Sequence, residues 1–252
     1  MDDATRDTDD WVRRMNPSPG ARTRLVCLPH AGGSAGFFRP VSRALAPDTE
    51  VLAIQYPGRQ DRRAERCIEH LPELADAVTQ ALLPWADRPL ALFGHSMGAT
   101  LAFEVACRLE KAGIPPLALF ISGRRAPSRT RHETVHLRDD AGVLAEIKEL
   151  NGTGASLLDD DEIMRMALPA LRADYKAAET YRFAGAPPVA APVHAHVGDS
   201  DPKVSVDEAA AWQEHTTGNF TLQVHPGGHF YLIDQAPQLI AALSGVLSRA
   251  ER

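Results

Sequence analysis

The sequence predicts an α/β fold: a mostly parallel sheet with helices on both faces and a helical insertion above a sheet edge. Three observations carry this reading. Continuous apolar runs alternate with amphipathic helical stretches, the pattern of parallel strands covered on both faces. One such run, Leu90 to Phe93, leads through Gly94-His95-Ser96-Met97-Gly98 into a helical stretch. The alternation then stops after Ser122-Gly123-Arg124-Arg125-Ala126-Pro127 and resumes at Val193.

Composition bounds the function. The 252 residues suit one α/β domain, and 44% hydrophobic residues supply a sizeable core. A formal charge of -6, with no Lys/Arg run, argues against a nucleic-acid partner. The acidic start Met1–Asp10 lacks the apolar centre of a signal peptide, and no apolar run reaches the length of a membrane span. Cys27, Cys67 and Cys107 have no metal-ligand spacing and read as reduced thiols. The expectation is a soluble cytoplasmic monomer without membrane contact, metal or cofactor.

Residues 1–23 read as a loose arm, charged and then rich in Pro and Gly, which Trp11 and Val12 could pin to the body. The domain proper, 24–252, begins with the apolar strand Arg24–Leu28, followed by His30-Ala31-Gly32-Gly33, a turn that brings backbone N–H groups close to a ligand. The G-x-x-x-x-G-K-[ST] pattern is absent, which favours an oxyanion site over a phosphate cradle. Phe38–Ala46 reads as a short helix, Val51–Gln55 as a strand and Ile68–Leu83 as an amphipathic helix. After the Leu90 strand, Leu101, Val105 and Leu109 line one helix face, and Gly113 with Pro115 stops that helix. Leu117–Ile121 is the next strand.

Residues 128–190 contain no convincing strand. Helices near Ala141–Leu150 and from Asp160 to Tyr181, joined through Asn151-Gly152-Thr153-Gly154, read as a lid, with a rigid second packing layer as the alternative. Met164, Met166 and nearby leucines are the expected apolar underside. Strand Val193–Val197, helix Val206–Glu214, strand Phe220–Val224 and helix Gln235–Leu247 complete the chain.

Gly94-His95-Ser96-Met97-Gly98 is G-x-S-x-G between a strand and a helix, the setting of a nucleophile elbow. A serine nucleophile needs a base and a carboxylate that orients the base. In an α/β-hydrolase the order is Ser, then Asp or Glu, then His, each at a strand's C-terminal end. Ser96, the acids after the Val193 strand and His229 after the Phe220 strand follow that order. Asp201 is favoured over Asp199 because it lies deeper in its loop and can turn back to the sheet edge. His229 is favoured over His225 because Gly227-Gly228 can bend it over the crevice. His194 and His196 read as packing residues, His95 as packing beneath the elbow, and His30 as shaping the neighbouring loop. The oxyanion donors are expected to be the backbone N–H groups of Met97 and Ala31, with Gly32 as the alternative to Ala31.

With these residues in place, the chain resembles the type II thioesterases of polyketide and nonribosomal peptide synthesis, external editing α/β-hydrolases. Leu28-Pro29-His30-Ala31-Gly32-Gly33, Gln55-Tyr56-Pro57-Gly58-Arg59, Gly94-His95-Ser96-Met97-Gly98, Ser122–Pro127 and Gly227-Gly228-His229-Phe230 carry the resemblance. It implies hydrolysis of acyl groups from the phosphopantetheine thiol of acyl or peptidyl carrier proteins, with Ser96, Asp201 and His229 as triad and a helical lid. The alternatives are a carboxylesterase or lipase acting on oxygen esters, and a hydrolase-fold binding module without turnover. Arg59 with Arg62-Arg63, and Arg124-Arg125 with Arg129 and Arg131, are expected as basic clusters facing an acidic carrier.

Overall fold

The computed structural model describes the backbone of residues 10–151 and 161–250 and the side chains of 10–150 and 165–249. Among the described residues seven strands form one sheet: β1 (Val12–Arg13), β2 (Thr23–Leu28), β3 (Thr49–Ile54), β4 (Leu90–His95), β5 (Leu119–Ser122), β6 (Val193–Gly198) and β7 (Phe220–His225). Their order is β1-β3-β2-β4-β5-β6-β7, with β1 antiparallel and every other pair parallel.

The central strands are apolar throughout because both faces are covered. In β2, Val26 and Leu28 point to one side, where α2 (Leu71–Leu82) and α3 (Met97–Lys111) pack. Leu25 and Cys27 point to the other, against α1 (Arg39–Leu45) and α8 (Ala236–Ala250). Edge strand β7 instead alternates half-buried Phe220 and Leu222 with exposed Thr221 and Gln223, as a strand with one open side requires.

Between β5 and β6 lie α4 (Asp140–Asn151) and α5 (Asp161–Thr180). Val135, Val143, Leu168 and Leu171 form a small apolar cluster of their own there. Pro169 sits inside α5 without ending it. Two short helices, α6 (Val206–Ala210) and α7 (Tyr231–Asp234), follow β6 and β7. A capping box closes the start of α6: Ser205 accepts from Glu208 N–H and the Glu208 carboxylate accepts from Ser205 N–H.

Two expectations are corrected. The arm is not loose where it is described. Val12 pairs with Ile54, Gln55 N–H donates to Trp11 C=O at 2.8 Å, and the Arg62 guanidinium lies 4.3 Å from the Trp11 ring centroid. Met166 is 67% exposed and does not face the interior, because the apolar stripe of α5 runs through Ala167, Leu171 and Ala178 instead. Residues 152–160 and the Met164 side chain lie outside the described residues. Among the described residues no helix is long and apolar enough to cross a membrane.

The elbow explains its own glycines. A Cβ on Gly94 would stand 2.0 Å from Gly98 C=O, and one on Gly98 would stand 2.1 Å from Leu28 C=O. Both obstacles are backbone, so no side-chain rotation relieves them. Gly98→Ala should therefore destabilise the fold by about 3 kcal/mol or more, at or beyond the usual cost of overpacking. Gly245, exposed inside α8 with nothing near a Cβ, sets the contrast: Gly245→Ala should raise stability by up to about 1 kcal/mol. Urea unfolding of the two variants checks the difference in sign.

Candidate active site

Ser96, Asp201 and His229 lie just beyond the C-terminal ends of β4, β6 and β7. Ser96 follows β4 and adopts φ 56°, ψ −118°, a conformation that non-glycine residues rarely hold. It persists because Ser96 N–H donates to Ser122 C=O at 2.8 Å while α3 begins at once behind it. The loops after β6 and β7 meet backbone to backbone: Asp199 N–H donates to His225 C=O at 2.8 Å and Ser200 N–H to Gly227 C=O at 3.1 Å. That contact carries Asp201 to His229. His229 Nδ1 lies 3.0 and 2.9 Å from the two Asp201 oxygens, and His229 Nε2 lies 3.0 Å from Ser96 Oγ.

The competing residues are engaged elsewhere. Exposed Asp199 accepts the Gly227 N–H at 3.0 Å and so pins the histidine loop. His225 is buried, 3.1 Å from His196 through ring nitrogens and stacked on Tyr231. His194 meets Thr221 Oγ1 at 2.8 Å and stacks on Phe120. His95 lies beneath the elbow, with Nδ1 2.9 Å from Ser122 Oγ, which in turn meets the Tyr231 hydroxyl at 2.7 Å. His30 packs edge-on against Phe37 and Phe230. Burial, then the neighbouring His229 and Arg59 charges, push its pKa down to about 3. Neither His30 nor His95 is suited to act as a base near neutrality.

A cavity of about 330 Å³ is lined by Ser96 and His229 together with Ala31, Gly32 and Met97. Ile147, Leu150, Ala167 and Leu171 from α4 and α5 form an apolar wall, while Arg124, Glu133, Glu179 and Lys203 make a charged one. The donors expected for an oxyanion separate here. Gly32, Ala31 and Met97 all line the cavity, but the Gly32 N–H is already donated to Asp174 Oδ2 at 2.8 Å. Among the described residues no cluster of His, Cys, Asp and Glu could hold a metal ion.

A family model for the thioesterase domain matches residues 23–247. The chain belongs to the thioesterase family. A Streptomyces griseus protein named "Probable cadicidin biosynthesis thioesterase" is 55% identical over 88% of this chain, which spans 62% of that relative's length. Thioesterase PikA5 of Streptomyces venezuelae is 52% identical over 91% of this chain and 82% of its own. The solved type II thioesterase BorB of the borrelidin biosynthetic cluster superposes with a TM-score of 0.91. It is 52% identical and covers 95% of this chain and 98% of its own. These relatives place the chain among the type II thioesterases, with the α/β-hydrolase fold that its motifs indicated.

In this thioesterase the arginine clusters are largely internal, against expectation. Arg62 is buried, bonded to Glu65 and to Gln55 C=O. Arg125 is buried against Glu133 and Lys203 C=O. Arg129 and Arg131 are exposed but paired with Glu214 and Glu208. Arg124 borders the cavity and donates to Thr100 Oγ1 at 3.0 Å; burial, with Arg125 nearby, lowers its pKa to about 10. Arg63 alone in its Arg59–Arg62–Arg63 cluster keeps an exposed side chain.

Asp174 went unsingled in the sequence. It is 1% exposed, forms a two-pronged pair with Arg59 (2.6 and 2.9 Å) and holds Gly32. Burial opposes the Arg59 charge, but the Asp174 carboxylate outweighs it, and the guanidinium pKa rises. The available signal was an acid three residues after Leu171, inside the apolar stripe of a long helix.

The buried histidines give a pH dependence. Burial lowers His30 and His196 to about 3 and His95 well below its ordinary 6.5. The unfolded chain therefore takes up protons that the folded chain refuses. Their contribution to stability is complete above pH 6.5 and is lost as pH falls toward the folded values. Between pH 7.5 and 5, before ordinary carboxylates titrate, unfolding free energy should fall by up to about 1.4 kcal/mol per pH unit for each such histidine once below pH 6.5. Urea titrations at pH 7.5, 6 and 5 measure it, and a flat profile contradicts the assignment.

Proposed function

We propose that this thioesterase hydrolyses acyl groups from the phosphopantetheine arm of acyl or peptidyl carrier proteins, clearing misloaded or stalled carriers. The observation that carries the reading is the continuous array Asp201–His229–Ser96 at the floor of a cavity with one apolar wall. Membership of the thioesterase family and the biosynthetic names of its relatives support that substrate class. The cytoplasm, where carriers are loaded, is the compartment this implies.

In this mechanism His229 Nε2 takes the Ser96 Oγ proton as Oγ attacks the thioester carbonyl carbon. Asp201 holds Nδ1–H in place and stabilises the imidazolium. The negative charge developing on the carbonyl oxygen is met by Met97 and Ala31 N–H groups, at the positive end of the α3 dipole. Collapse breaks the C–S bond, and the pantetheine thiol leaves with the proton from His229. Water, deprotonated by the same nitrogen, then attacks the acyl-enzyme and releases the carboxylic acid. Helices α4 and α5, the lid of residues 128–190, cover this chemistry with Ile147, Leu150, Ala167 and Leu171 against the acyl chain and keep bulk water out.

A fluorophosphonate probe should label Ser96 and leave Ser96→Ala unlabelled. Asp201→Asn leaves the imidazole in the wrong tautomer and should lower kcat by on the order of ten-thousandfold, while Asp199→Asn stays within about threefold of wild type. The reverse ranking of the two acids would refute the assignment.

Hydrolysis of one acyl group should be compared on a holo carrier protein, on a pantetheine mimic and as the matching oxygen ester. The carrier should give the highest kcat/KM, because arm and carrier surface contribute binding common to every substrate. An oxygen ester turned over as well as the thioesters would return the enzyme to the esterases.

A further inference from the structure

The loop that offers Ala31 is gripped by the helix that roofs the acyl cavity. In a trans peptide the N–H points opposite to the C=O of the same plane. His30 C=O accepts the Gly33 N–H at 2.9 Å, so the N–H of the His30–Ala31 peptide is turned the other way. The two glycines closing this turn are each held from outside. Gly32 N–H donates to Asp174 Oδ2 at 2.8 Å, and Arg59 Nη1 donates to Gly33 C=O at 3.1 Å. Arg59 and Asp174 bind each other through two parallel hydrogen bonds, the geometry that fixes both planes.

A second contact reinforces the first. Gly32 has φ +74°, and a Cβ there would lie 2.2 Å from Leu171 Cδ2, a side chain of the cavity's apolar wall. Leu171 and Asp174 are neighbours on one face of α5. An apolar pair could fill this space without desolvating two ions, so packing alone does not account for it. A bare carboxylate here would repel an oxyanion; Arg59 cancels that charge.

We propose that Asp174, locked by Arg59, is a positioning residue that holds the His30–Gly33 turn so that Ala31 N–H is aimed at the oxyanion. This rests on the reading of Ala31 and Met97 as oxyanion donors. The same grip ties the roof of the acyl cavity to that donor, since α5 supplies both Leu171 and Asp174.

The test separates transition-state binding from ground-state binding in Asp174→Asn, Arg59→Gln and Arg59→Lys. Two probes are titrated: a short alkyl boronic acid, which forms a tetrahedral anionic adduct on Ser96, and an acyl-pantetheine analogue with an amide in place of the thioester. In Asp174→Asn, kcat and boronate affinity should both fall about ten- to a hundredfold, less than or equal to the loss of a whole oxyanion donor. KM and amide-analogue affinity should stay within about twofold. Arg59→Gln should show the same split, and Arg59→Lys, which keeps the charge without the fork, should recover part of the loss. Thermal unfolding identifies folded variants, and Arg59→Lys carries the test alone if the others unfold. Equal losses for boronate and amide, or full kcat in a folded Asp174→Asn, would overturn the proposal. A wild-type enzyme that binds no boronate and takes no fluorophosphonate on Ser96 would instead overturn the serine mechanism beneath it.

Discussion

The structure depends on one close approach of backbone to backbone. Strand β4 and helix α3 are joined by a turn so tight that Gly94 lies on Gly98, and Gly98 lies on the end of β2. This contact, together with the Ser96 N–H bond to Ser122 C=O, lets Ser96 hold a positive φ between strand and helix. The strain of that residue is carried by its surroundings. β4 is paired on both sides, and α3 buries Leu101, Val105 and Leu109 against the sheet. The most strained residue of the site thus stands on the most fully packed part of the molecule.

Around that point, polar groups are buried with few alternatives open to them. His95, Ser122 and Tyr231 form a hydrogen-bonded layer beneath Ser96, and His196 with His225 continues it under the β6 and β7 loops. Burial lowers the pKa of each of these three histidines and so disfavours the charged imidazolium. His229 differs in facing a carboxylate through one nitrogen and the serine hydroxyl through the other. Its placement follows from Gly198, whose missing side chain lets the acid loop touch the backbone of Gly227 and Gly228.

Helices α4 and α5 are a second layer with its own small core, fastened to the sheet domain by polar contacts as well as apolar ones. Arg59–Asp174 binds α5 to the loop after β2, and Glu179 at the end of α5 accepts from Val135 and His136 N–H. Lys176 reaches Glu69 at the rim. A roof held by buried charge is precise at its anchor, while over the cavity it presents the apolar side chains of Leu171 and Ala167, whose packing is non-directional.

The parallel sheet, the elbow and the order Ser96, Asp201, His229 were legible in the chain because each is written in local pattern: apolar runs, helical periodicity, glycines beside a serine. Local pattern also foresaw that His95 would pack beneath the elbow. Other features belong to pairs of residues far apart in sequence. Asp201 rather than Asp199 faces His229 because two loops 28 residues apart share backbone contacts. Arg59 and Asp174, 115 residues apart, meet only when α5 crosses the loop after β2. Arginines that look like a basic surface in the sequence, Arg62 and Arg125 among them, turn inward because their partners lie in neighbouring turns and in the insertion. Charge is visible residue by residue, but whether it faces solvent or a buried carboxylate depends on which elements the fold lays together. Sequence determined the elements and the chemistry available at their ends; the tertiary structure decided which charges were spent holding the site together.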